Sequence, residues 1–64
     1  MELKKDYIKF LMNGMSFEEL SKKSNVSSNW LNTVINRGHA SMKVVNKIAK
    51  ALDVDPKEIV KLDD

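Results

Sequence analysis

Four times along this chain the same short frame recurs. An apolar residue precedes a small residue with a side-chain oxygen, and a second apolar residue follows four positions after that oxygen. Met15-Ser16 with Leu20, Val26-Ser27 with Leu31, Ala40-Ser41 with Val45 and Val54-Asp55 with Ile59 all fit it. A helix leaves the N–H groups of its first turn without partners, and a serine or aspartate oxygen at the boundary accepts one of them. The flanking apolar pair packs across the same turn and sets the angle at which the chain enters. Glu19 and Glu58 stand three residues past their caps, where a carboxylate can reach back to the cap's own N–H, and Pro56 fills a first helical position. Four helix starts in one frame constrain the chain to an all-α fold.

Ahead of the first start, Leu3, Tyr7, Phe10 and Leu11 recur at helical spacing, broadened by Ile8 and Met12, and Gly14 follows as a stop. The spacing predicts five helices over about 2–13, 17–24, 28–36, 42–52 and 56–62. No segment alternates apolar and polar residues for long, and no Asn-Gly or Asp-Gly hairpin signal is present. The joint at Asn25-Val26 is tight, and asparagine is suited to the left-handed backbone such a joint requires. The core is expected to draw on Ile8, Leu11, Leu20, Val26, Leu31, Val34, Val45, Ile48, Ala49, Leu52, Val54 and Ile59, with Ile35 also turned inward. Ser21 is expected to face the third helix, where a small side chain lets two backbones approach.

Sixty-four residues are read as one domain, 1–64, near the lower limit for an unaided hydrophobic core. With no cysteine and a single histidine, His39, neither a disulfide nor a structural zinc site is expected, and no metal or cofactor. No stretch approaches the roughly 20 apolar residues that span a bilayer. The N-terminal MELKKDYIKF lacks a signal peptide's apolar block, so no membrane association and a cytoplasmic location are expected. An enzyme is not expected either: His39 lies in a loop, no glycine-rich phosphate cradle exists, and the carboxylates form no pair. The net charge is only +2, but Lys22, Lys23, Arg37, Lys43, Lys47 and Lys50 fall between Leu20 and Leu52 with no acid among them. Such a basic middle suits a polyanion partner; solvated lysines on helix surfaces would account for it equally.

From Ile8 to Leu62 the chain resembles the Cro and lambda-repressor-like helix-turn-helix family, also called the Xre family. The resemblance rests on Ser16-Phe17-Glu18-Glu19-Leu20-Ser21, then Asn25-Val26-Ser27, then Leu31 and Val34, and finally Ile48-Ala49-Lys50-Ala51-Leu52-Asp53-Val54. It implies a compact five-helix DNA-binding domain, with the helix-turn-helix proper at 16–38 and a recognition helix at about 28–36 in the major groove. Three features depart from the family pattern. Phe17 replaces a polar residue, Ile35-Asn36-Arg37-Gly38 replaces the usual Glu-x-Gly exit, and the recognition helix has no Arg, Lys or Gln among its expected base readers.

Because Leu31, Val34 and Ile35 point inward, the opposite face of the third helix carries Ser28, Asn29, Asn32, Thr33 and Asn36. An asparagine amide can give and take one hydrogen bond each at adenine N6 and N7, although asparagines also serve simply as solvated polar residues. The resemblance makes Ser28, Asn29, Asn32 and Thr33 the base-reading candidates. Phe17, Trp30, Asn36, Arg37, His39, Ser41 and Lys43 are the candidates facing phosphates. Trp30 is expected to pack partly against the start of the second helix near Phe17 with its indole N–H toward a phosphate; a plain core tryptophan is the other reading.

A double-stranded DNA operator is the implied partner, and the implied role is a stand-alone repressor-like regulator of phage or mobile-element type. Relatives of this kind commonly dimerise, and Ile59, Val60 and Leu62 are the expected seam. A different function remains open: a modulator that docks on another helix-turn-helix repressor, using Phe17, Trp30 and the neutral third-helix face.

Overall fold

The computed structural model describes residues 1–61. Its helices are α1 (Lys5–Met12), α2 (Phe17–Ser24), α3 (Ser28–Arg37), α4 (Met42–Ala51) and α5 (Pro56–Ile59). All four expected caps form. Ser16, Ser27 and Ser41 accept from the N–H groups of Glu19, Trp30 and Val44 at 3.1, 3.2 and 3.3 Å. At α5 the reciprocal box closes: Asp55 accepts from Lys57 N–H at 3.1 Å, and Glu58 accepts from Asp55 N–H at 2.9 Å. At α2 the return half differs, because Glu19 takes the Ser16 hydroxyl at 3.5 Å rather than the Ser16 N–H.

Asn25 closes α2 in the left-handed conformation at φ 60°, as the tight joint demands, and its N–H returns to Ser21 O. α2 then packs on α3 and on α4, α4 on α5, and α5 on α1. The core follows the expected residues through Ile8, Leu20, Val26, Leu31, Val34, Ile35, Val45, Ile48, Ala49 and Ile59. Leu11, Leu52 and Val54 are instead half-buried and pack against its edge. Ser24 is the buried serine of α2 and Ser21 is half-buried; the Ser24 Oγ accepts from Val26 N–H at 3.3 Å, which removes the cost of burying the hydroxyl oxygen without a partner.

The N-terminus departs most from expectation. Residues 2–4 do not continue α1. They run extended between two other segments, with antiparallel bridges from Glu2 to His39 and from Leu3 to Val60. Leu3 N–H donates to Gly38 O at 2.8 Å and Ala40 N–H to Met1 O at 3.0 Å on one side. On the other, Lys4 N–H donates to Ile59 O and Lys61 N–H to Glu2 O, both at 2.9 Å. The N-terminal ammonium adds a bond to Ala40 O at 2.8 Å, and Lys61 pairs with Glu2 across the surface at 3.1 Å. Leu3 and Val60 become core residues, each 1% exposed.

This arrangement also corrects the expected dimer seam. Ile59 and Val60 are buried within their own chain, so neither side chain is available to a second copy, and Leu62 lies outside the described residues. α5 is correspondingly shorter than 56–62, since pairing with Leu3 draws Val60 into an extended backbone with φ −115° and ψ 149°.

Candidate nucleic-acid interface

α3 buries Leu31, Val34 and Ile35 completely and turns its remaining residues outward. At about 100° per residue, Asn29 and Asn36 fall along the middle of the outward face, Asn32 and Thr33 to either side of them. Ser28 sits at one margin, half-buried, and Trp30 and Arg37 at the other. Asn29, Asn32, Thr33 and Asn36 are all exposed and uncharged. Ser28, Asn29 and Asn32 line one wall of an open groove whose other wall is Ser16, Phe17 and Glu18 at the start of α2.

The side chains of this face are partly tied to one another. Thr33 Oγ1 donates to Asn29 O at 2.9 Å, a bond back along the helix that leaves the hydroxyl with acceptor capacity only. The Asn36 amide donates to Asn32 Oδ1. Among the described side-chain bonds none engages the Asn29 carboxamide, so its donor and acceptor both remain for a partner.

Sequence reasoning missed a contact at the opposite margin. Arg37 lies over the Trp30 ring, its Cζ 5.3 Å from the ring centroid, two helical turns apart on one face. The ring face attracts the guanidinium, and one nitrogen also donates to His39 O at 3.2 Å. Trp30 is 43% exposed, which excludes the plain core tryptophan. Phe17 is half-buried with its ring packed on the core, and the ring has no donor. Its backbone N–H alone could serve an anion.

Past α3 the chain turns through Gly38 at φ 82°, a conformation that glycine adopts without a Cβ penalty. A Cβ there would also lie 3.2 Å from Lys5 Cδ. The turn puts His39, Ser41 and Lys43 on the surface at the start of α4. The first turns of α3 and α4 contain no acidic residue, whereas that of α2 carries Glu18 and Glu19. A helix start attracts anions through its free N–H groups and dipole, and carboxylates there offset the attraction. The α3 and α4 starts are therefore the better anion sites.

An outward polar helix beside acid-free helix starts is how a helix-turn-helix meets a duplex. The family model of the Cro/C1-type HTH DNA-binding domain matches residues 11–64. The chain belongs to this family. No curated protein and no solved structure matches it. Membership makes the chain a binder of double-stranded DNA and places it in a family of binding rather than catalytic domains. Among the described residues no helix is long and apolar enough to cross a membrane.

Proposed function

We propose that this Cro/C1-type chain is a sequence-specific transcriptional regulator of the repressor kind, with α3 lying in the major groove of its operator. The uncharged, outward face of α3 is the observation that carries the reading. Ser28, Asn29, Asn32 and Thr33 face base edges, with Asn29 the one whose amide is free to give and take a bond. Arg37, His39, Ser41 and Lys43 flank that face, with backbone N–H groups at the starts of α3 and α4, and hold the phosphates, whereas Asn36 lies along its middle with its amide donating to Asn32. Lys22, Lys23, Lys47 and Lys50 add long-range attraction. Two copies on half-sites one helical turn apart would double the small interface of one module. Their contact does not run through Ile59 and Val60.

Titration of a fluorescent duplex pool across salt concentrations tests this reading. Binding that weakens steeply and linearly on a log–log plot, with a recoverable common sequence, supports it. Absence of duplex binding at low salt, together with a tight complex to a helix-turn-helix repressor, would favour the protein-directed modulator instead.

A further inference from the structure

We propose that Asn36 orients the carboxamide of Asn32 and so determines which base Asn32 reads: guanine, and not the adenine that an unconstrained asparagine favours. The inference rests on the DNA-reading role of α3. It follows from counting donors and acceptors on the exposed face. Asn32 and Asn36 stand one helical turn apart, both exposed, and the Asn36 amide N–H donates to Asn32 Oδ1. An oxygen turned along the helix toward Asn36 leaves the Asn32 NH2 as the part that projects to the groove. An unconstrained asparagine reads adenine by accepting from N6 while donating to N7. Here the oxygen is turned along the helix toward Asn36, so the NH2 donors are what face the groove.

Guanine presents two acceptors, N7 and O6, on its major-groove edge, and both suit an NH2 group. Adenine would oppose its N6 amino group to the Asn32 amino group, donor against donor. Asn36 acts here as a positioning residue: it need not touch a base to change the base chosen. Asn29 has no such neighbour, because its backbone carbonyl, not its side chain, takes the Thr33 hydroxyl. Two asparagines three residues apart on one helix would thus read different bases.

The test is selection from a pool of random duplexes, followed by sequencing, with the unaltered chain and with Asn32→Ala, Asn36→Ala and Asn36→Asp. The unaltered chain should select guanine over adenine at one position by about 5-fold, the lower end of the range of a bidentate contact, because a single NH2 group does the reading. Asn32→Ala should erase the preference at that position alone. Asn36→Ala frees the amide and should bring the guanine-to-adenine ratio below one, the adenine preference of an unconstrained asparagine. Asn36→Asp should do the same by another route: a carboxylate can only accept, so it takes the Asn32 NH2 and turns the oxygen outward, toward the amino group of adenine or cytosine. Unchanged selection at the remaining positions shows that each variant is folded and bound. Retention of guanine at that position by both Asn36 variants would overturn the inference while leaving the regulator reading intact. Failure of the unaltered chain to select any common sequence would overturn both.

Discussion

Leu3→Ala separates the observed N-terminus from the helix that its apolar spacing suggests. In the structure Leu3 is 1% exposed, bridged to Val60, with its N–H bonded to Gly38 O. The backbone bonds survive the substitution, so the loss isolates the side chain. Removing three buried carbons costs about 2.4 kcal/mol at roughly 0.8 kcal/mol each. The cavity left behind raises the expected range to about 2–5 kcal/mol, and a site near the chain end that can partly collapse belongs toward the lower end. A chain this size has on the order of 3–10 kcal/mol in total, so the variant forfeits a large share. At about 4–8 °C per kcal/mol, a loss of about 2–3 kcal/mol lowers the melting temperature by roughly 8–24 °C. Urea and thermal unfolding followed by far-UV circular dichroism measure both. Phe10→Ala is the internal control, since Phe10 is 74% exposed and only stacks beside Tyr7; it should cost about 0.5 kcal/mol or less. Were residues 2–4 helical, Leu3 would lie one turn before Tyr7 on that largely exposed stripe. Equal costs for the two variants would therefore refute the extended N-terminus and its place in the core.

Gly38→Ala should cost about 1–2 kcal/mol, because φ 82° is left-handed backbone and the new Cβ crowds Lys5; a neutral thermal melt would contradict that geometry. Ser27→Ala removes the α3 cap and should destabilise by about 0.5–2 kcal/mol, a loss that Ser27→Asp restores if capping is the cause. Arg37→Ala should weaken matched and scrambled duplexes alike and lower the log–log salt slope by about one; a loss confined to the matched duplex would make Arg37 a base reader. Asn29→Ala should cost about 1–3 kcal/mol on the matched duplex and blur one base pair, whereas equal losses on both duplexes would remove it from the readers.

The helix starts were legible in the residues because capping is local chemistry: an oxygen, an N–H two or three residues on, and a staple across one turn. The left-handed Asn25 was legible for the same reason. The extended N-terminal segment was not, because Leu3 fits a helical stripe with Tyr7 and Phe10, and the partners that claim it, Gly38 and Ile59, are distant along the chain. The same distance hid the burial of Val60 and gave Ile59 and Val60 the look of surplus apolar surface. On α3 the outward face could be read by subtraction from Leu31, Val34 and Ile35. The ties within that face could not, since several rotamers satisfy the one-turn spacing of Asn32 and Asn36, and the two-turn spacing of Trp30 and Arg37 signals only a shared side. Those ties decide which amide edge faces outward.

The central claim is that the uncovered side of α3 is the surface that meets DNA. An NMR titration of the isotope-labelled chain with a selected duplex tests it residue by residue. The side-chain NH2 signals of Asn29 and Asn32, the Trp30 indole and the backbone amides of residues 28–37 and 41–43 should move most. Largest shifts around Tyr7 and Phe10 on α1, with the α3 signals left in place, would contradict it.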